Sequence, residues 1–373
     1  MKNILIQDNL EALEDNMFIV SADTFKRLNQ KTQVITNSAF YSVRNRLSHS
    51  LEVASIGKYI AQQVNTELGF DLVNPSTVEN VGKIHDLGHS PLGHIGAECM
   101  DEIFSKHNVE FEDNANSLII LEKYYPNLSR IAFLSSIKYP FLVGHNTRIP
   151  KKGLYKYQVN YIKELETFCA KQNISDTLPL HRTYESSIME LADDIAYLTG
   201  DLEDFLLHYS TELETLDLEK IWKEANIDKS FFFNMFDELN RKNIEISTWT
   251  MRKMLIRDII FDIDTNKFKY QTENSLILLK LLRKITFELY ILKHSIRPES
   301  EISSMFKKYL YKLIDNIENN SFLSKEISSK RILKEIKKST DKNEKILMLS
   351  YAVSEMTDNH LIKRLKKNFL INF

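Results

Sequence analysis

Val78-Glu-Asn-Val-Gly-Lys-Ile-His85-Asp86-Leu-Gly88-His89-Ser-Pro91-Leu-Gly93-His94-Ile-Gly96 is the stretch on which the reading of this chain turns. Val78 to Ile84 reads as a helix, and the dipeptide His85-Asp86 ends it. The run from Gly88 to Gly96 breaks the helical pattern and carries two histidines, in the kind of loop where function concentrates. His85 and Asp86 therefore stand at a helix end and face a loop. An imidazole nitrogen beside a carboxylate oxygen suits a divalent ion such as Mn²⁺, Fe²⁺ or Zn²⁺, with water at the remaining positions.

Two ligands do not hold an ion, so the flanking helices matter. Upstream, Arg44-Asn-Arg46-Leu-Ser-His49-Ser-Leu-Glu-Val53 enters a second amphipathic helix and offers His49. Downstream, Ile188-Met-Glu-Leu-Ala-Asp193-Asp-Ile-Ala-Tyr197 enters a third and offers Asp193. Asp193, Tyr197 and Asp201 are spaced by four and share one helix face. Two carboxylates and a phenol on an otherwise apolar helix are costly to bury without a metal or a hydrogen-bonding ligand. The alternative is that Asp193 and Asp194 only start a helix, as N-terminal acids do.

Around these segments the chain is helical throughout. Its 373 residues hold only 9 Gly and 7 Pro, while Leu, Ile, Lys and Glu recur at three- and four-residue spacing. The fold class is all-α, with strands limited to short hairpin additions such as Thr32 to Thr36. Residues 1–215 read as the catalytic core. Residues 216–373 read as a helical extension that packs on the core or on another subunit. A second Pro/Gly cluster, Tyr139 to Gly153, reads as a basic flap beside an anionic ligand or as a plain surface loop.

The bulk numbers exclude some classes. The 49 basic and 51 acidic residues leave a net charge of -2, which argues against a nucleic-acid coat or a membrane surface. Cys99 and Cys169 are too few for a disulfide framework or a thiolate zinc site. With no signal-peptide core in the opening residues and no apolar run near membrane length, a cytoplasmic protein without membrane partners is expected.

With these residues in place, the sequence resembles the HD-domain deoxynucleoside triphosphate triphosphohydrolases, the dGTPase-like family, over roughly residues 20 to 205. The resemblance rests on five motifs in the family's order: Arg27 to Val34, Arg46 to Val53, His85 to His94, Phe111 to Leu118, and Met189 to Asp204. It implies that His49, His85, Asp86 and Asp193 hold the metal, with Mn²⁺ or Mg²⁺ ahead of Fe²⁺, Co²⁺ or Zn²⁺. It implies that Gln33, Tyr197 and Asp201 touch the deoxyribose and that Arg46 contacts phosphate. His94 is similar to the family's catalytic histidine, suited to protonating the leaving 5'-oxygen, and His89 is a second candidate in the same loop.

One departure concerns that histidine. The family continues His-x-Gly-Glu, whereas here Ala97 occupies the Glu position and Glu98 follows it. On a helix the displacement is a rotation of about 100 degrees, which puts the polarising role of Glu98 in doubt. A second departure is Ser354-Glu-Met-Thr-Asp358, which matches the family's Ala-Gly-Met-Thr-Asp only in part and to which no role is carried over.

The resulting expectation is hydrolysis of a deoxynucleoside triphosphate to deoxynucleoside and tripolyphosphate. Asn114, Lys151, Lys152, Lys156, Tyr155 and Tyr157 are further candidates for the substrate. Arg252 and Arg257 are possible base contacts or, more simply, structural ion pairs. Competing readings are an HD phosphodiesterase or exonuclease, with the basic run Lys363 to Lys367 as support for single-stranded DNA, and a nucleotide-binding regulator that hydrolyses weakly. A homo-oligomer and an allosteric nucleotide are further expectations from the family.

Overall fold

A computed structural model describes residues 2–33, 44–171, 182–208, 244–296 and 299–369. Sixteen α-helices account for nearly all regular structure among them. The helices are α1 (Lys2–Ser21), α2 (Asp23–Lys26), α3 (Arg46–Leu68), α4 (Pro75–Ile84), α5 (Gly93–Ser105), α6 (Asp113–Tyr124), α7 (Arg130–Ser135) and α8 (Val159–Lys171). They continue with α9 (Tyr184–His208), α10 (Ile244–Arg257), α11 (Glu273–Ile296) and α12 (Glu299–Asp315). The last four are α13 (Asn320–Glu326), α14 (Lys330–Lys338), α15 (Lys342–Ser354) and α16 (Asp358–Phe369). The all-α expectation holds.

The two helices that carry the first candidate ligands are bounded by their own sequence. Asn45 caps α3, its side chain accepting from Ser48 N at 2.9 Å while Ser48 Oγ accepts from Asn45 N at 3.1 Å, a reciprocal capping box. Gly69, at φ 71°, ends α3 in the left-handed region. Asn74 caps α4 by accepting from Ser76 N at 2.9 Å, and Pro75 takes the first helical position, where its missing N–H costs nothing.

Where α4 crosses α3, Gly82 replaces side-chain contact with backbone contact. A Cβ at Gly82 would lie 2.7 Å from both Ala54 Cα and Ala54 N. No larger residue fits without parting the helices, and the His49 and His85 rings lie 5.5 Å apart between centroids, tilted by 60°.

Three buried clusters surround this crossing. One joins α3, α4 and α9 through Val53, Ile60, Val78, Val81, Ala192 and Ile195, and takes in Met251 and Leu255 of α10 and Leu281 of α11. A second joins α5 to the C-terminal helices through Met100, Phe104, Phe306, Tyr309, Leu349 and Leu361. A third packs Ile19, Leu28, Ile84, Leu121 and Phe133 behind the His85 end of α4. Residues of α10 and α11 thus share one cluster with α3, α4 and α9, and residues of α12, α15 and α16 share another with α5.

Among the described residues the strands are a short hairpin addition, as expected, but not at the place expected. Thr32 makes a single antiparallel bridge with Asn45, Gln33 lies in a bend, and Val34 to Thr36 lie outside the described residues. The antiparallel pair that is present joins Ile259–Asp262 to Lys267–Tyr270, inside a stretch whose Lys/Glu/Asn composition read as helix alone. Four alternating residues either side of a polar turn are too short a signal to stand out there. No helix of the described residues is long and apolar enough to cross a membrane.

Candidate metal centre

The four residues that the sequence singled out as ligands converge from three helices. His49 lies in the first turn of α3, His85 caps the C-terminus of α4 and Asp86 follows it. His49, His85 and Asp86 each offer one ligand atom, and those atoms lie within 4.8 Å of one another, all from buried residues. Asp193 comes from the middle of α9, its Oδ1 3.0 Å from His49 Nε2 and 3.6 Å from His85 Nε2. Because α9 begins at Tyr184, Asp193 and Asp194 do not start a helix. That alternative is overturned: Asp193 faces the centre, while Asp194 pairs with Arg283 at 2.7 Å.

Each carboxylate is shared between the histidines and a buried cation. Asp86 Oδ2 receives Arg46 Nη1 at 2.6 Å, while Asp86 Oδ1 lies 3.2 Å from both His85 Nε2 and His89 Nδ1. Asp193 Oδ2 receives Lys138 Nζ at 2.5 Å. Burial alone would raise the pKa of Asp86, but His85, His89 and Arg46 hold it well below the usual carboxylate range. Burial likewise opposes ionisation of Asp193, and Lys138 and the two histidines override it downward. Lys138 is pushed up by Asp193 against the effect of burial.

The residues present fit a divalent ion. His85 Nδ1 lies 2.7 Å from the Gly82 carbonyl, so the proton sits on Nδ1 and the Nε2 lone pair points into the centre. That Nε2 is buried and makes no hydrogen bond. A lone pair facing two carboxylate oxygens needs a cation, either a metal or a proton. In the absence of an ion the pKa of His85 rises, the charges of Asp86 and Asp193 outweighing burial. The two carboxylates are already offset by Arg46 and Lys138, so a divalent ion would leave the centre net positive and attractive to an anion.

The remaining candidates divide into those near the centre and those committed elsewhere. Arg46 is buried and engaged with Asp86, so it braces the centre from behind, and its Nε is left without a partner. Gln33 is 7% exposed, and its Oε1 has no hydrogen-bond partner. A Cβ at Gly93 would lie 3.5 Å from the Gln33 carbonyl, so Gln33 adjoins the turn that introduces His94. Tyr197 and Asp201 follow Asp193 along α9, Asp201 buried and Tyr197 partly so. His89 faces Asp86 and lies 3.9 Å from Asp113 Oδ2. Burial and the nearby Arg46 push its pKa well down.

His94 is the second residue of α5 and exposed, and Glu98 is exposed one turn further on. Because α5 begins at Gly93, the displaced Glu98 still stands on the His94 side, as residues four apart on a helix do. Ala97 instead packs toward the C-terminal cluster.

Glu112 gathers most of the flap-side candidates. Its carboxylate caps α6 through Ala115 N at 2.7 Å and also receives Asn114 Nδ2 at 2.7 Å and Lys152 Nζ at 3.0 Å. Tyr155 is 3% exposed, and its hydroxyl accepts from Glu112 N and donates to Glu112 O. That hydroxyl is thereby engaged with the Glu112 backbone. Lys151 pairs with Asp101 at 2.9 Å, and Tyr157 OH lies 2.5 Å from Tyr351 OH. Lys156 begins a short 3₁₀ turn on the surface. Arg252 is a structural ion pair with Glu52 at 3.5 Å, and Arg257 ends α10 at the surface. Lys363 to Lys367 lie along α16.

Sequence reasoning missed Lys138, Asp113 and Glu112 as parts of this centre. Lys138 belongs to no motif, since a lysine after a short helix is ordinarily a surface residue. The matched run Phe111 to Leu118 contained both Glu112 and Asp113, but their burial is a tertiary fact.

This geometry defines a helical, buried His/Asp centre of the HD type, and residues 46–139 match the family model described as the HD domain. The relatives that the chain resembles are described as deoxyguanosinetriphosphate triphosphohydrolase-like. The chain is 30% identical over 261 residues to a protein of that description from Rickettsia felis, covering 69% of this chain and 60% of that one. A protein of the same description from Wolinella succinogenes is 32% identical over 217 residues, 57% of this chain and 53% of that one. Another from Rickettsia prowazekii is 28% identical over 322 residues, 84% and 75% of the two chains. Against the Rickettsia felis relative, the chain spans 60% of the curated protein's length.

Proposed function

We propose that the protein is a metal-dependent phosphohydrolase that cleaves deoxynucleoside triphosphates to deoxynucleoside and tripolyphosphate. The observation that carries this reading is the pairing of the His49–His85–Asp86–Asp193 centre with the buried, unpartnered Gln33 Oε1 beside the His94 turn. One group calls for a cation and the other for a hydroxyl donor, as a phosphorylated sugar would require. The description of the relatives as deoxyguanosinetriphosphate triphosphohydrolase-like supports the substrate class.

A divalent ion bound here supplies Lewis acidity toward a phosphoryl oxygen and lowers the pKa of water to near neutrality, about 7. The chain's own residues do the rest. Arg46 and Lys138 hold the outer oxygens of Asp86 and Asp193, which fixes the inner oxygens toward the histidines. Gln33 accepts the 3'-hydroxyl of the sugar, and Tyr197 and Asp201 line the same side from α9. Water attacks the α-phosphorus, the bond to the 5'-oxygen breaks, and His94 delivers the proton that oxygen needs. Tripolyphosphate departs intact, and Lys152, which pairs with Glu112 at 3.0 Å, is a flap cation available for its negative tail.

The test is product analysis on metal-loaded protein with each of the four dNTPs, alone and in pairs. Equimolar nucleoside and tripolyphosphate are expected. Monophosphate with pyrophosphate, or no nucleoside from any dNTP, would sink the reaction. Thermal stabilisation by nucleotide without turnover would make the protein a regulator, and shortening of single-stranded DNA would make it an exonuclease.

A further inference from the structure

The C-terminal segment Ser354 to Asp358 reaches back over more than 250 residues of chain to hold both walls of the proposed nucleotide pocket. Asp358 Oδ2 accepts from Thr32 N at 2.8 Å and Thr32 Oγ1 at 2.5 Å, and its Oδ1 accepts from Leu92 N at 2.8 Å. Thr32 precedes Gln33. Leu92 precedes Gly93 and His94, so one carboxylate ties together the backbones that present the sugar-side amide and the exposed histidine. A second tie runs parallel to it. Lys31 Nζ, fully buried, donates to the Ser354 carbonyl at 2.6 Å and to the His89 carbonyl.

The Leu92 backbone explains why such a tie is needed. Leu92, the N-cap of α5, has φ 63° and Gly93, its first residue, φ 59°, a left-handed pair at the helix start. A residue with a Cβ is strained there, and such a conformation persists only where its surroundings over-determine it. The Asp358 hydrogen bond to Leu92 N, with the Leu92 side chain buried among the C-terminal helices, supplies that constraint. An ordinary α5 start would swing His94 away from Gln33.

We infer that Asp358 is a positioning residue for nucleotide hydrolysis: it sets the separation between Gln33 and His94, so the C-terminal helices complete the sugar pocket without touching substrate. This rests on the nucleotide reading of the site given above. Asp358→Asn keeps the shape but has one acceptor in place of two, so it can serve Thr32 or Leu92 and not both.

The experiment uses the full-length, metal-loaded protein as wild type, Asp358→Asn and the milder Thr32→Val. Two readouts are taken: kcat/KM for a dNTP against its 2',3'-dideoxy counterpart, and amide hydrogen exchange. Loosening Gln33 lowers the preference for the 3'-hydroxyl by about five- to tenfold in Asp358→Asn, the worth of one buried hydrogen bond, and by less in Thr32→Val. Metal content stays at the wild-type level. The Thr32 and Leu92 amides exchange faster together in Asp358→Asn, while those of α3 do not change. An unchanged 3'-hydroxyl preference with both amides accelerated would reduce Asp358 to a structural staple and overturn the inference, and so would unaltered exchange at both amides. Should the wild type release no nucleoside, the proposed reaction fails by itself, and the exchange arm still decides whether Asp358 couples the two walls. If Asp358→Asn does not fold, Thr32→Val carries both readouts alone, and wild-type values in each would overturn the inference.

Discussion

Lys138 Nζ lies 2.5 Å from Asp193 Oδ2, on the oxygen opposite the one that faces His49 and His85. The lysine and the candidate ion therefore sit on two sides of one carboxylate. In the metal-free protein Lys138 is the only strong cation on Asp193 among the described contacts, and both groups are largely buried. Lys138→Met leaves a buried carboxylate uncompensated, which costs about 3–5 kcal/mol of metal-free stability. A divalent ion then restores what the lysine supplied, so the rise in Tm on adding Mn²⁺ should be larger in the variant than in wild type. Thermal denaturation with and without metal measures this, and an equal or smaller rise would show that Lys138 does not neutralise Asp193.

Metal and proton compete for the same lone pair of His85. The pKa of His85 in the metal-free fold is raised by Asp86 and Asp193 against burial, so the native state keeps a proton that the unfolded chain loses above about 6.5. The stabilisation this confers is complete below that value and disappears as pH rises through the folded pKa. Metal binding requires the proton to leave. The metal-induced rise in Tm should therefore grow from about pH 6 to about pH 8, and His85→Gln should lose both the rise and its slope. A metal-induced shift that does not vary across this range would contradict the assignment.

Asp113 has the same pH slope as His85, in a more acid window. Burial pushes its carboxyl up to about 6, with Glu112 adding to the effect and Lys152 opposing it. Between about pH 4 and 6 the folded protein holds a proton that the unfolded chain has released, so stability falls as pH rises through that window. Asn keeps the acceptor for Ser90 N, now at 3.0 Å from Asp113 Oδ1, without ionising. Asp113→Asn should match wild type near pH 4 and exceed it by about 1–3 kcal/mol at pH 7, following roughly 1.4 kcal/mol per pKa unit. Urea denaturation of the metal-free protein at the two pH values checks it, and equal stability at pH 7 would refute it.

Gly82→Ala tests the helix crossing that builds the centre. The added methyl would meet Ala54 backbone atoms at 2.7 Å, and no rotamer change relieves a backbone clash. The helices must separate, at a cost of about 1–3 kcal/mol, and His85 moves away from His49 with them. A lower Tm together with weaker metal retention on dialysis is expected. Loss of stability with wild-type metal content would mean that the crossing does not set the ligand spacing.

The sequence determined the helical class, because sparse Gly and Pro and three- and four-residue apolar spacing are local properties that survive without tertiary context. It also marked His49, His85, Asp86 and Asp193 as a set, since helix periodicity and a helix end beside a glycine loop constrain where those side chains point. Tertiary structure alone decided what surrounds them. Lys138, Glu112 and Asp113 belong to the centre through burial, which no local pattern records. Tyr155 reads as a ligand contact because a tyrosine in a basic loop has a hydroxyl to offer, and only the fold shows that hydroxyl engaged with the Glu112 backbone. Ser354 to Asp358 carried too weak a signal to be given a role. Its contacts with Lys31, Thr32 and Leu92 span 266 residues or more of chain, and pairing at that distance is specified by how the C-terminal helices pack, not by the residues on either side of it.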